Sequence, residues 1–433
     1  MPYLLNLAYI LLLLILSPWL VYKALTTGKI RRGLWAKLTG SIPPGLDQPA
    51  PVWFHGVSVG EIHLLRTLVA RFRARHPDIP CVISTTTDTG MAEAKKWFPD
   101  LPAFFWPLDF TWAVKHALRT VSPRLVVLAE CELWPNFLEA ARQRGVPVAV
   151  INARMSPRSF GRFQRCRTLV QGLFGRVQLF AAQTEEYAKC LRALGAGRVH
   201  VTGSIKYDGV QASRDNPRTQ ELRRLLGVTD MDLVWIAGST QDPEEKMALD
   251  IYQRLKSSRP DLRLILVPRQ KERFDEVAAL IRARGLPLVR RSQLDPQTGP
   301  SASDAVVLLD TFGELSALWG LADVAFVGGS LDGKRGGQNM IEPAAYGAAV
   351  IFGPHVWNFR DTARRLVEVE AALQVAHAGE LETQVRRLLD EGELRARLGN
   401  AARQLVLAQQ GATERTLDLL ARFLGAAARA DAA

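Results

Sequence analysis

The sequence predicts an α/β protein of two doubly wound, Rossmann-like domains facing a central cleft, with an apolar helix in front of them. Three observations carry that expectation. From Pro51 onward, short apolar runs alternate with stretches whose apolar residues recur at helical spacing. The alternation stops at a polar stretch near mid-chain and then restarts. Roughly 20 almost uninterrupted apolar residues open the chain, near the length that crosses a bilayer. At 433 residues the chain is also too long for one hydrophobic core.

The opening run is YLLNLAYILLLLILSPWLVY, Tyr3 to Tyr22, followed by Lys23, Lys29, Arg31, Arg32 and Lys37. Positive charge after the run, with no small-residue cleavage site, is the pattern of an anchor, and the positive-inside rule keeps the body of the protein cytoplasmic. Asn6, Ser17 and Pro18 interrupt the run, so a helix lying in the interface or docked on protein is the alternative to a span.

The stretch Val52–Ile62 is expected to start as a buried strand, and further strands are expected at Cys81–Thr87, Ala103–Asp109, Arg124–Glu130, Pro147–Arg154, Leu179–Thr184 and Val199–Ser204. The polar stretch Tyr207–Gln220 is the linker candidate. Strands resume at Leu233–Thr240, Arg263–Arg269, Ala305–Thr311, Val324–Ser330 and Ala349–Pro354, with a surface loop over residues 291–304. A helical tail from Glu391 to Leu424 is expected to pack back on the first domain. The expected division is an anchor over residues 1–22, one domain over 23–212 and another over 213–433.

Hydrophobic residues make up 48% of the chain and glycines number 33, which fits an ordinary globular protein and argues against extensive disorder. Cys81, Cys131, Cys166 and Cys190 form no C-x-x-C pair and read as buried thiols in a reducing compartment. The seven histidines include no H-x-x-x-H pair, so no metal site is expected. A net charge of +12 asks for an anionic partner: nucleic acid, an acidic membrane surface or an acidic substrate. The basic residues are dispersed and no aromatic-and-basic recognition motif is present, which weighs against nucleic acid.

In the first half, HGVSVGE places Glu61 at a helix start after an apolar strand. AECELWPN sets Glu130 and Glu132 at another strand end, and GSIKYD sets Lys206 and Asp208 at the last strand before the linker. Glu130, Glu132, Asp208 and Lys206 on one rim suggest acid–base chemistry. The alternative for Glu61 is structural, since a first-turn acid stabilises a helix by a few tenths up to about 1 kcal/mol. His55, a lone histidine at a strand end, reads as a structural residue.

In the second half, FVGGSLDGKRGGQNMIEPAAYG joins a strand and two glycine pairs to Asn339, Glu342 and Pro343 at a helix start. Close backbone approach and free amides would suit a nucleotide, with the carboxylate on a ribose; the alternative is a tight strand–helix turn. Arg269 in VPRQKERF and Gly313-Glu314 in DTFGEL end two other strands on the same edge.

Taken together and in order, HGVSVGE, STTTDTG, AECELWPN, NARMS, GSIKYD, VPRQKERF, DTFGEL and the GGQNMIEPAAYG segment resemble the motifs of bacterial 3-deoxy-D-manno-octulosonic acid (Kdo) transferases. The resemblance runs from the apolar opening to the end of the second domain. It implies a GT-B fold and an inverting, metal-independent, membrane-associated glycosyltransferase without a cofactor. Such an enzyme uses CMP-Kdo to glycosylate the tetraacylated, phosphorylated disaccharide precursor of lipid A (lipid IV-A) at the cytoplasmic face of the inner membrane, in lipopolysaccharide biosynthesis. The first domain would then bind the acceptor and the second the CMP-sugar.

Residue by residue, the resemblance implies Glu61 as the general base, with Glu130 and Lys206 supporting the transition state. It implies CMP contacts at Pro268, Arg269, Phe312, Gly313, Glu314, Asn339, Met340, Ile341 and Glu342. Family members often carry histidine where Gln270 and Gln338 stand, and serine at Gly56, so neither glutamine takes a histidine-dependent role. Arg31, Arg32, Lys37, Arg66, Arg71, Arg73 and Arg75 are candidates for meeting anionic lipid and acceptor phosphates, or serve solubility alone. Two rivals remain: a GT-B enzyme with another nucleotide sugar, such as a UDP-sugar transferase or epimerase, and a membrane-tethered, non-catalytic nucleotide or RNA binder.

Overall fold

Strands buried on both faces read as continuous apolar runs, and the expected runs become two seven-stranded sheets in which every pairing is parallel. A computed structural model describes residues 2–27, 33–43, 49–295 and 304–425, with the backbone alone at residues 2, 18–27 and 169. Two compact units result: residues 1–209 with 409–433, and residues 210–408.

The first unit carries β1 (Val52–His55), β2 (Cys81–Thr85), β3 (Ala103–Phe105), β4 (Leu125–Ala129), β5 (Val148–Ala153), β6 (Leu179–Ala182) and β7 (Val199–Val201), in the order β3-β2-β1-β4-β5-β6-β7. Successive residues point to opposite faces. Trp53, Val82 and Val126 join one apolar core, while Val52, Phe54, Ile83 and Val127 join the other. Reversal of strand order beside β1 leaves the loops after β1 and β4 as neighbours, the usual place for a ligand in an open parallel sheet.

The second unit carries β8 (Leu233–Thr240), β9 (Leu262–Pro268), β10 (Leu288–Arg290), β11 (Val306–Leu308), β12 (Val324–Val327), β13 (Ala349–Phe352) and β14 (Ala372–Gln374), in the order β10-β11-β9-β8-β12-β13-β14. The edge strands β10 and β14 were not expected. Each is three residues long and lacks an apolar run to announce it. The surface loop over 291–304 opens with a 3-10 turn at Arg291–Gln293, and residues 296–303 lie outside the described residues.

The C-terminal tail divides at Gly411, whose φ of 90° ends one helical path and starts another. The helix Gly392–Ala408 belongs to the second unit and Ala412–Ala421 to the first. Within the first unit, Asp208 caps the latter helix by accepting from the N–H groups of Gly411 (2.6 Å) and Thr413.

The opening helix forms and runs Pro2–Thr27, but the expected span does not follow: among the described residues no helix is long and apolar enough to cross a membrane. Asn6 is buried and donates to Thr111 Oγ1 (2.7 Å), while its own oxygen accepts from Thr111 N (3.2 Å) and Asn136 Nδ2 (3.1 Å). Tyr9 donates to Asp109 at 3.1 Å, so one edge of the helix is docked on the first unit. Leu4, Leu7, Leu11, Leu14 and Ile15 stay exposed. Met1 and the flanking Lys29, Arg31 and Arg32 lie outside the described residues, as do the side chains of residues 18–22. The cysteine expectation also needs correction, since all four are free but only Cys81 is buried, with Cys131 and Cys190 half-buried and Cys166 exposed.

Candidate active site

After β1 the chain turns through Gly56, Val57 and Ser58 into the helix Val59–Arg75. Ser58 caps this helix, its hydroxyl oxygen accepting from Glu61 N at 3.4 Å. Glu61 reaches back, accepting from the Ser58 hydroxyl at 3.0 Å and from Val57 N at 2.6 Å, a variant of the capping box. The Val57 carbonyl in turn accepts from the hydroxyls of Thr85, Thr86 and Thr87, each at 3.2 Å. The STTT run therefore holds the turn that aims Glu61. Gly56 leaves little room here: a Cβ would sit 3.1 Å from that of Glu61.

Burial pushes the Glu61 carboxyl up to about 7; the Glu130 and Glu132 charges add to the rise, while Val57 N–H and the Ser58 hydroxyl oppose it. Burial raises Glu132 as well, reinforced by Glu130. A carboxylate has about four acceptor positions, so two local bonds leave Glu61 able to take a third from a substrate hydroxyl. Lys206 Nζ lies 3.7 Å from Glu130 Oε1, so the structure brings this pair together on the same rim. Glu130 itself sits at φ 59°, a conformation that costs a non-glycine residue about 1–3 kcal/mol and turns its side chain out of the strand path.

His55 is fully buried, stacks on Trp106 at 4.0 Å and bonds through Nδ1 to the Ser84 hydroxyl at 2.9 Å. Burial lowers its pKa to about 3, so it is a neutral structural residue. The basic residues singled out near the anchor are largely engaged. Arg71 pairs with Glu414 (2.7 Å), Arg75 with Asp418 (2.7 Å) and Arg73 with Asp100 (2.6 Å). Arg66 lies over the Trp97 ring at 3.8 Å, and Lys37 over Phe105 at 4.5 Å.

In the second unit, Pro268 ends β9 and Arg269 projects exposed beyond it, its N–H bonded to Thr240 O at 3.0 Å. Asn339 orients Glu342 by donating to its Oε1 (3.0 Å) and accepts from Ile341 N (3.0 Å). Burial raises the Glu342 carboxyl, offset by the Asn339 bond and the Arg269 charge. Met340 and Ile341 are core side chains, which leaves their backbones for any ligand. Phe312 is 66% exposed and free to cover a ring, and Gly313 turns at φ 85°.

Glu314 departs from the expected role. Its carboxylate accepts from Thr311 and Arg218 and pairs with Arg291 at 2.9 Å, with only 6% of the residue exposed. Its side chain is committed to the protein, and only the short helix Leu315–Leu318 follows it.

A family model for 3-deoxy-D-manno-octulosonic-acid transferase (kdotransferase) matches residues 31–209. A 3-deoxy-D-manno-octulosonic acid transferase of Haemophilus influenzae is 36% identical over 388 residues, covering 89% of this chain and 88% of that protein. The chain belongs to the Kdo transferase family. A Bordetella pertussis Kdo transferase is likewise 36% identical, covering 87% of this chain and 88% of its own. Among solved structures, Acinetobacter baumannii MurG superposes with a TM-score of 0.56 at 14% identity, covering 86% of this chain and all of its own. At that identity the likeness concerns the fold alone, and it agrees with a GT-B architecture.

Within this Kdo transferase two further residues shape the site and were not singled out from sequence. Asn152, buried at the end of β5 with φ 51°, accepts from Ile205 N at 3.2 Å and so fixes the turn carrying Lys206. Glu244 is buried and accepts from the N–H groups of Gln241 (3.0 Å), Gly329 (2.7 Å), Ser330 (3.0 Å) and Leu331 (3.1 Å). It thereby sets the loop after β12. A Cβ on Gly328 would lie 2.7 Å from that carboxylate, which explains why the loop begins with glycine. Only the position of Asn152 within NARMS, at a strand end, offered a signal; Glu244 acts across 85 residues of sequence.

Proposed function

We propose that this glycosyltransferase moves Kdo from CMP-Kdo to the phosphorylated, acylated disaccharide precursor of lipid A. The supporting observation is Glu61, a carboxyl poised near neutrality beside the Glu130–Lys206 pair. A general base works best when its pKa lies close to the working pH, and such help is worth about 10²–10⁴-fold. Glu61 takes the proton of the acceptor hydroxyl as its oxygen attacks the anomeric carbon. The C–O bond to cytidylate breaks on the opposite face, the electron pair leaves with the phosphate, and the configuration inverts. The Lys206 ammonium, held by Glu130, supplies positive charge against the anionic groups that converge on that centre.

In the second unit Arg269 offers a guanidinium to the cytidylate phosphate, Glu342 accepts from ribose hydroxyls, and Phe312 with the backbone around Gly313 covers the base. A monophosphate leaving group needs less charge neutralisation than a diphosphate, and the reaction is taken to run without a metal. The exposed leucines of the opening helix rest on the inner membrane with the body on the cytoplasmic side, as the basic residues after the helix favour. Mass spectrometry of the product made by purified protein from CMP-Kdo and the lipid precursor tests the reading. A mass gain of one or more Kdo units supports it; unchanged acceptor with active donor, or equal turnover with a UDP-sugar, refutes it.

A further inference from the structure

Between Glu139 and Glu185 the chain holds eight arginines, no lysine and no acidic residue. This segment alone supplies most of the excess positive charge. Two of its arginines, Arg142 and Arg176, are held by Glu139 at 2.7 and 3.1 Å. Arg144 ends the helix before β5, and the other five, Arg154, Arg158, Arg162, Arg165 and Arg167, follow that strand. Arg154 is half-buried at the strand end, and the helix Pro157–Arg165 follows, capped by Ser156, which accepts from Ser159 N at 3.1 Å.

That helix buries none of its nine residues. Arg158, Arg162 and Arg165 recur at the i, i+4, i+7 spacing that lines one helix face, and all three are exposed. Among the described residues no carboxylate pairs with any of them, in contrast to Arg142 and Arg176 of the same segment. Amphipathic helices are ordinarily held by an apolar face, so a helix with none buried and an unmatched cationic stripe is built for something outside the chain.

Its location narrows the partner. β5 is the direct neighbour of β4, with Ala129 opposite Ile151, and Glu130 N bonds to Ile151 O at 2.9 Å. The arginine helix thus leaves the strand adjoining the one that ends in Glu130. The choice of residue narrows it further. A charged bilayer attracts lysine and arginine alike, whereas a planar guanidinium grips a phosphate through paired hydrogen bonds that an ammonium cannot form. Among the described residues, the anchor-side Arg71, Arg73 and Arg75 are occupied by Glu414, Asp100 and Asp418.

We infer that Arg158, Arg162 and Arg165 form a phosphate-binding surface that seats a phosphate monoester of the lipid acceptor, placing its sugar hydroxyl toward the rim that carries Glu61. The inference rests on the acceptor named under the proposed function and adds the surface that recognises it. The helix leans on the core through Phe160 while its three arginines are exposed, so they can be changed with the fold left intact.

The test is equilibrium binding, in nonionic micelles, of the phosphorylated acylated disaccharide and of its dephosphorylated form. It compares the full chain with the triple variants Arg158→Lys/Arg162→Lys/Arg165→Lys and Arg158→Ala/Arg162→Ala/Arg165→Ala. The unaltered protein is expected to prefer the phosphorylated form by at least about tenfold. The alanine variant is expected to lose that preference, and the lysine variant most of it, with melting temperature and CMP affinity unchanged. Equal binding of both lipids by the unaltered protein overturns the inference, as does an alanine variant that keeps the preference. A lysine variant as selective as the original also overturns it. So does a pattern in which only binding to vesicles of anionic phospholipid falls, because the surface then serves the bilayer. Phosphate-dependent binding without Kdo transfer refutes the transfer reading and leaves the surface standing; transfer with phosphate-independent binding does the reverse.

Discussion

In the first unit burial raises the proton affinity of Glu61 and Glu132, the Glu130 charge adds to both, and one lysine lies near them. In the second unit Glu244 and Glu314 are each ringed by donors, four backbone amides for the one and two arginines with a threonine for the other. A carboxylate whose acceptor positions are all taken holds a loop in shape and has nothing left to offer a substrate. One kept short of donors and near other negative charge holds its proton at neutral pH and can exchange it. Under the proposed function the first unit moves the proton and the second presents a fixed surface to the nucleotide. Asp109 shows that the distinction follows surroundings, since in the first unit it accepts from Asn136 N (3.0 Å), Phe137 N (2.8 Å) and Tyr9 and serves as scaffold.

The largest effect that sharpens this contrast is expected from Glu61→Gln. The amide keeps the shape and an acceptor for the Val57 N–H but cannot take a proton, so kcat falls by about 10²–10⁴-fold with CMP affinity and melting temperature nearly unchanged. Steady-state kinetics beside a thermal melt decides, and a rate within about twofold of the original breaks the comparison. Glu244→Ala is next. Four buried amides lose their acceptor, which costs on the order of 3 kcal/mol or more in stability. Urea unfolding together with CMP titration should show both stability and nucleotide affinity falling, and a variant that binds CMP normally would deny Glu244 its scaffold role. The smallest effect is expected from Asn6→Ala. Loss of the cap on the helix Thr111–Val121 costs about 1–2 kcal/mol, read as a melting temperature lower by a few degrees, with the pH dependence of turnover unmoved.

Much of the architecture was legible because parallel strands covered on both faces are buried at every position and so mostly apolar, as β1, β2, β4 and β5 are. The strands β10 and β14 were not, because an edge strand of three residues carries too few side chains to establish a period. The rim of the first unit was legible through polar residues that end apolar runs, as at Glu61, Glu130 and Lys206. What those residues are bonded to was not. The environment of Glu314 depends on Arg218 and Arg291, brought together by folding from 96 and 23 residues away. The docking edge of the opening helix was hidden for a related reason. Asn6 and Tyr9 registered as interruptions of an apolar run, whereas their hydrogen bonds to Thr111, Asn136 and Asp109 define its docking edge.

The central claim is that Glu61 acts as the base with a proton affinity set by burial and by its acidic neighbours. The most direct measurement is the pH dependence of kcat/KM, compared between the original protein and Glu130→Gln. Turnover requires the deprotonated carboxylate, so activity is expected to rise with pH through a midpoint at about 7. Removing the Glu130 charge lets Glu61 lose its proton more easily, so the rising limb of Glu130→Gln is expected at lower pH even as its maximum rate falls. An activity flat between about pH 5 and about pH 8, or a limb that stays in place or moves to higher pH in the variant, would contradict the account.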